Sequence, residues 1–75
     1  MNIYIVERGV MMNGWEWEFD EKYRASTFEK ANAYINKQEN KKCRMIKVNP
    51  NYWKFQEDHD FAWGIMKEEL DKDFE

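Results

Sequence analysis

The chain has 75 residues, a single cysteine and a formal net charge of -3. A length of this order predicts one domain, residues 1–75, with a thin hydrophobic core. Cys43 alone excludes an intramolecular disulfide, the first residues lack the basic and apolar regions of a signal peptide, and no stretch approaches the roughly 20 apolar residues of a membrane-spanning helix, so we expect a cytoplasmic protein.

The first segment of the chain is predicted to form a β-hairpin. Residues 3–6 form a short apolar run of strand-forming residues, and Asn13-Gly14 is the dipeptide most typical of a tight hairpin turn. A two-residue turn pairs Val10 with Trp17, but it then sets Ile5 beside the polar side of the second strand. One extra residue is therefore expected, as a bulge or an irregular loop at Gly9.

The second strand alternates between aromatic and acidic side chains over residues 15–20. Side chains of a strand point to opposite faces in turn, so one face is predicted to be aromatic and the other acidic. The aromatic face comprises Trp15, Trp17 and Phe19, with Tyr23 further on. The acidic face comprises Glu16, Glu18 and Asp20.

A helix is predicted to begin at Ser26. Residues 26–29, Ser-Thr-Phe-Glu, have the spacing of a capping box, in which the Ser and Glu side chains satisfy backbone N–H groups of the first turn. Apolar residues then recur at intervals of three and four and form a stripe that packs on the sheet. This stripe comprises Phe28, Ala31, Tyr34 and Ile35. The pattern ends near residues 38–40.

The second half of the chain is predicted to contain further strands and a second helix. A third strand over residues 43–48 is followed by the turn signal Asn49-Pro50-Asn51 and a less regular fourth strand over residues 52–55. Asp58 or Asp60 is then predicted to cap a helix, because apolar residues recur at roughly helical spacing from Phe61 to Phe74. The predicted fold is α+β: an antiparallel sheet of three to four strands with two helices on one face, in the order β-β-α-β-(β)-α.

Charge is segregated along the sequence. Residues 1–21 carry five acids and one base, residues 22–54 carry nine bases and two acids, and residues 55–75 carry eight acids and two bases. Two arrangements follow from this pattern. The segments neutralise one another in the folded protein, or they leave surfaces of opposite sign.

No catalytic residue, metal site or cofactor is predicted. His59 lies between Asp58 and Asp60, but the chain has no second histidine and one thiol, which is too few for a closed zinc site. The side chain of Cys43 alternates with that of Met45, and this pattern favours a buried apolar role over a reactive thiol. We therefore predict a protein that is not an enzyme.

The acidic segments predict a partner protein with a basic surface, such as a nuclease or another nucleic-acid-binding protein. Carboxylates can take the place of phosphates on such a surface, and exposed aromatic side chains often anchor interfaces. The predicted contact residues are Glu16, Glu18, Asp20, Trp53, Glu68, Glu69 and Asp71.

Two other partners are compatible with the sequence. The basic stretch of residues 37–54, with Tyr52 and Trp53, could bind nucleic acid directly, although an isoelectric point of about 5.2 counts against this function. The acidic and basic segments could also pair between the subunits of a homodimer.

Three features of the first half of the chain resemble small accessory proteins of bacteriophages and other mobile elements, some of which are anti-CRISPR inhibitors. These features are residues 2–6, Asn-Ile-Tyr-Ile-Val, the aromatic-acidic second strand and the helix at residues 26–35. The resemblance is one of size, element order and composition, so no functional residue is carried over. It implies a phage-encoded inhibitor that binds a host defence or nucleic-acid-processing protein and blocks its substrate site or a conformational step.

Overall fold

A computed structural model describes residues 2–56 and 61–69, and within them it contains one antiparallel sheet and one helix. The elements are β1 (Asn2–Met12), β2 (Glu16–Ala25), α1 (Phe28–Glu39), β3 (Ile46–Asn49), β4 (Tyr52–Gln56) and β5 (Phe61–Glu69). The strand order across the sheet is β2-β1-β5-β4-β3, so β5 lies at the centre. In the described part of the chain, no helix is long and apolar enough to cross a membrane.

The predicted arrangement of two helices on a sheet of three to four strands is wrong. The segment assigned to the second helix contains β5, which pairs with both β1 and β4. Residues 62–65 are all buried: Trp63 and Ile65 pack in the core beneath α1, and the Tyr52 ring covers Gly64 on the other face of the sheet. The apolar run is therefore continuous and does not alternate. The spacing of Phe61 and Ile65 therefore imitated a helix. The remainder of that predicted helix, with its caps Asp58 and Asp60, lies outside the described residues.

The turn of the β1–β2 hairpin contains three residues and not two. Asn13 and Gly14 have positive φ angles of 56° and 81°, and the amide of Trp15 donates to the carbonyl of Met12 at 3.2 Å. Met12 lies opposite Glu16, so Trp15 belongs to the turn. The Asn-Gly signal correctly located the turn, but the predicted register of the strands was shifted by one residue.

A β-bulge lies further along the hairpin than predicted. Glu21 is opposite Glu7, whereas Tyr23 is opposite Val6, so Lys22 is an extra residue in β2. The predicted position at Gly9 is wrong, because Gly9 pairs regularly with Phe19; the hairpin instead has two extra residues, Trp15 in the turn and Lys22 in the bulge. A bulge of this kind changes the face to which the following side chains point.

The bulge separates the aromatic residues of β2 between the two faces of the sheet. Directly opposed residues on antiparallel strands share a face. Trp17 and Phe19 lie on the face away from α1, whereas Tyr23 lies on the helix face and stacks on Tyr34, with ring centroids 4.5 Å apart. The expectation that Tyr23 shares a face with Trp17 is therefore wrong, because the two-residue alternation holds only as far as the bulge.

The hydrophobic core lies between α1 and the sheet. Three aromatic rings pack together at the end of the core near the start of α1. The centroid of the Trp53 ring lies 4.8 Å from that of Phe28 and 6.1 Å from that of Tyr4. Burial of Cys43, which is 1% exposed, confirms its predicted apolar role. The fully packed centre comprises Val6, Ala25, Ala31, Ile35, Cys43, Trp63 and Ile65.

Both ends of α1 are capped, and its C-terminal end is attached to the sheet. Thr27, one residue after the predicted cap, accepts a hydrogen bond from the Lys30 amide at 3.1 Å, and Asn40 ends the helix with a φ of 58°. The Glu39 carboxylate accepts from Arg8 at 2.6 Å and from the Trp63 indole N–H at 2.7 Å. These contacts fix the position along the sheet at which the helix stops.

Candidate protein interface

The outer part of the β1–β2 hairpin extends past the end of α1. Because Glu39 contacts Arg8, the residues of β1 beyond Arg8 continue past the last residue of the helix. A 12-residue helix is about 18 Å long, whereas the 11 residues of β1 extend over roughly 36 Å. We refer to residues 9–20 as the outer hairpin.

Three exposed carboxylates line one side of the outer hairpin. Glu16, Glu18 and Asp20 lie opposite Met12, Val10 and Arg8, and so they share the face that carries the helix. Alternate residues of a strand are about 6.6 Å apart, so the row is about 13 Å long. Within residues 2–56 and 61–69, none of the three forms an ion pair, and all are exposed.

Aromatic side chains occupy the turn and the opposite side of the outer hairpin. Trp15 is 76% exposed at the turn. The rings of Trp17 and Phe19 stack with centroids 5.9 Å apart. The Phe19 ring lies so close over Gly9 that a Cβ atom there would be 2.7 Å from Cζ of Phe19. Strand β2 therefore presents acids on one side and aromatic rings on the other.

The open face is the face of the sheet opposite α1. The Tyr52 ring covers Gly64 in the same way as Phe19 covers Gly9. The ammonium group of Lys54 lies 5.9 Å from the centre of the Trp17 ring, although two strands separate β4 from β2. The open face also carries partly or largely exposed apolar side chains: Ile3, Met11, Trp17, Phe19, Ile46 and Met66.

A small group of ionisable residues lies near the centre of the open face. Burial, together with the facing carboxylate of Glu21, raises the pKa of Glu7 above its usual value. Burial and the nearby Glu7 raise the pKa of the Tyr52 hydroxyl. A hydrogen bond from Arg24 lowers the pKa of Glu21. The open face is therefore mixed in charge, unlike the acidic row.

The structure brings together three of the seven predicted contact residues. Glu16, Glu18 and Asp20 form the acidic row, whereas Glu68 and Glu69 lie opposite Ile3 and Asn2 at the other end of β1. These two groups are separated by most of the length of the sheet.

Trp53 does not lie in the outer hairpin. Trp53 is half-buried on the helix face, where it packs against Phe28 and where the ammonium of Lys47 lies 5.8 Å from its ring. Asp71 lies outside the described residues.

Trp15, Trp17 and Phe19 were missing from the predicted contact residues. Their alternation with acids was visible, but only the acidic side of this strand was included among the predicted contacts. Two signals could have identified them as surface residues. The predicted helix is too short to cover a long hairpin, and helices on one face leave the other face of the sheet open.

The basic residues of the middle segment do not form one surface. Lys47 lies on the helix face and Lys54 on the open face. Lys42 and Arg44 line a groove of about 450 Å³ beside α1, which also contains Asn32. Within the described residues, none of these cations forms an ion pair with the acidic row, although Lys54 contacts the outer hairpin on its aromatic side through the Trp17 ring.

The described residues contain no group of three or more His, Cys, Asp or Glu side chains arranged to hold a metal ion. Comparison with protein-family models, with curated proteins and with solved structures gives no match to this chain.

Proposed function

We propose that this chain is a non-enzymatic binding protein whose outer hairpin occupies a basic surface of another protein. The observation that carries the proposal is the acidic row of Glu16, Glu18 and Asp20, which is exposed and free of ion pairs among the described residues. Unpaired carboxylates in a row attract a positively charged surface and orient its approach.

Aromatic residues in the turn and on the opposite side of the outer hairpin supply the apolar contact that such an interface needs. Exposed ion pairs contribute little affinity, whereas buried aromatic anchors contribute most of it. Trp15 lies at the tip of the hairpin, and Trp17 is partly exposed beside it. In this proposal the carboxylates select a basic partner, and the indole rings hold it.

The resemblance to phage accessory proteins supports a more specific form of the proposal. In this form the chain is a phage-encoded inhibitor in the cytoplasm of a bacterial host. Its carboxylates take the place of nucleic-acid phosphates on a defence or nucleic-acid-processing protein, and the bound chain blocks the substrate site.

Affinity capture from a nuclease-treated bacterial lysate tests the proposal. Three immobilised proteins are compared: the original chain, the double variant E16Q/E18Q and the matched double variant E68Q/E69Q. Both variants lose two negative charges, but at opposite ends of the sheet. We expect a basic protein whose recovery falls at least tenfold with E16Q/E18Q and is unchanged with E68Q/E69Q.

Two results would contradict the proposal. One is recovery of the same proteins in equal amounts by all three immobilised chains. The other is a partner that depends on Glu68 and Glu69 alone, which would move the interface to the other end of the sheet. Unfolding temperatures of the variants provide the control for folding.

A second candidate function, direct binding of nucleic acid, is supported by the groove beside α1. Lys42 and Arg44 line this groove together with Phe28 and Met45, so cations and an aromatic ring lie together. The buried Oδ1 atom of Asn32 also faces no hydrogen-bond donor within the described residues. Salt-dependent retention of single-stranded DNA or RNA that is lost when Lys41, Lys42 and Arg44 are all replaced by Gln would support this function. Equal retention by the variant would exclude it.

A further inference from the structure

Strand β2 is an edge strand of the sheet. It is ten residues long and pairs with β1 on one side, and on its other side no described strand lies next to it. The backbone N–H and C=O groups along such an edge can bind an additional strand from another molecule.

The hydrogen bond of the turn determines which backbone groups of β2 point outward. Met12 accepts from Trp15, so its backbone points toward β2. Backbone direction alternates along a strand, so the residues opposite Met12, Val10 and Arg8 point their N–H and C=O groups back toward β1. The backbone groups of Trp17 and Phe19 consequently point to the outer edge.

Side-chain alternation along the same edge defines the strand that fits it. Residues opposite each other in a widened sheet share a face, and opposite charges in such pairs contribute roughly 0.2–1 kcal/mol each. Cationic side chains of an added strand would lie beside Glu16, Glu18 and Asp20. Its intervening apolar side chains would lie beside Trp17 and Phe19.

A second copy of β2 does not meet this requirement. In an antiparallel pair of two β2 strands that keeps both helices on one face, the carboxylates of one copy lie opposite those of the other. Like charges directly opposite each other are destabilising, and acids at an edge are a common barrier to self-pairing. The acidic row therefore disfavours antiparallel pairing of two β2 strands and favours a basic segment.

We infer that the outer edge of β2 binds an extended segment of the partner in which Lys or Arg alternates with apolar residues, and that this segment adds to the sheet as a sixth strand. The inference rests on the proposed function and specifies how the outer hairpin would hold its partner. The bulge at Lys22 sets one limit of the added strand, and the turn at residues 13–15 sets the other.

Amide hydrogen exchange with a synthetic peptide tests strand addition. The probe is a capped eight-residue peptide of alternating Lys and Val, and the control is a capped peptide of the same composition with the four Lys and four Val residues in separate blocks. At saturating alternating peptide, the amides of Trp17 and Phe19 should exchange at least fivefold more slowly. The amides of Glu18 and Asp20, which point toward β1, should change little.

The outcomes separate the inference from the proposed function. Binding of the alternating peptide without slower exchange at Trp17 and Phe19 would overturn strand addition, as would no binding or equal protection by the block peptide. In these cases the proposed function is still tested independently by the capture experiment with E16Q/E18Q.

A charge exchange provides a second readout. The variant E16K/E18K should lose at least tenfold in affinity for the Lys-Val peptide and should gain affinity for an alternating Glu-Val peptide. An unchanged preference for the Lys-Val peptide in the variant would overturn the assigned side-chain register.

Discussion

At the scale of single residues, two glycines of the open face lie beneath aromatic rings from neighbouring strands. A Cβ atom at Gly9 would be 2.7 Å from Phe19 Cζ, and one at Gly64 would be 2.6 Å from the Tyr52 hydroxyl oxygen. Neither contact is compatible with an added methyl group unless the ring moves. The glycines allow the rings to lie flat on the sheet, and this arrangement buries backbone that would otherwise be exposed.

The variant Gly9→Ala is expected to lose about 1–3 kcal/mol in the free energy of unfolding, because the Phe19 ring must leave its position. Chemical denaturation measures this loss. The same substitution in a Phe19→Leu background should cost less than half as much, since the obstructing ring is absent. An equal cost in both backgrounds would show that the ring is not the cause.

Glu7 and Glu21 lie directly opposite each other on β1 and β2. Burial and Glu21 raise the pKa of Glu7 above 4.5, so the folded protein binds this proton more tightly than the unfolded chain does. The resulting stabilisation is present at low pH and is lost as the pH rises through the raised pKa. At neutral pH the ionised Glu7 therefore opposes folding.

The variant Glu7→Gln should be more stable than the original chain at pH 7, because it removes a partly buried charge and its repulsion by Glu21; cross-strand charge effects suggest a gain on the order of 0.2–1 kcal/mol. This advantage should shrink as the pH falls through the raised pKa of Glu7 and should be largely gone below about 4.5, where Glu7 is protonated in both states. Urea unfolding at pH 7 and at pH 4 compares the two proteins. A variant that is less stable at pH 7 would contradict the raised pKa.

At the scale of elements, the start of α1 depends on one hydroxyl group. The Thr27 side chain accepts from the Lys30 amide, whereas Ser26, the predicted cap, precedes the capping position. Thr27→Ala should cost about 0.5–2 kcal/mol in the free energy of unfolding, and Ser26→Ala should change it by less than about 0.5 kcal/mol. Thermal or denaturant unfolding of the pair measures the difference. A larger loss from Ser26→Ala than from Thr27→Ala would show that Ser26 is the capping residue.

The hairpin turn and the end of α1 could be predicted from short stretches of sequence. Strand β5 could not, because its pattern depends on the strands that lie beside it. The hairpin turn followed from Asn13-Gly14, and the end of α1 near Asn40 followed from the loss of apolar periodicity. Strand β5 was missed because its buried run, residues 62–65, has no alternation. Only its place between β1 and β4 explains that pattern, and a single sequence does not contain this information.

At the scale of the whole molecule, the acidic row was predictable but its surroundings were not. Alternation alone placed Glu16, Glu18 and Asp20 on one side of a strand. The position of Trp53 depends on how β4 packs on α1, and the separation of Glu68 from the acidic row depends on the strand order. Both are set by contacts between residues that are distant in sequence, so residue spacing does not reveal them.

In the proposed function, the acidic row is an unpaired surface that attracts a basic partner. The most direct test is the association rate of the chain with its captured partner at 50 mM and 200 mM salt, for the original chain, E16Q/E18Q and E68Q/E69Q. We predict that the original chain and E68Q/E69Q associate at similar rates that fall with salt, whereas E16Q/E18Q associates more slowly and responds less to salt. Equal rates and equal salt dependence in all three proteins would contradict the account.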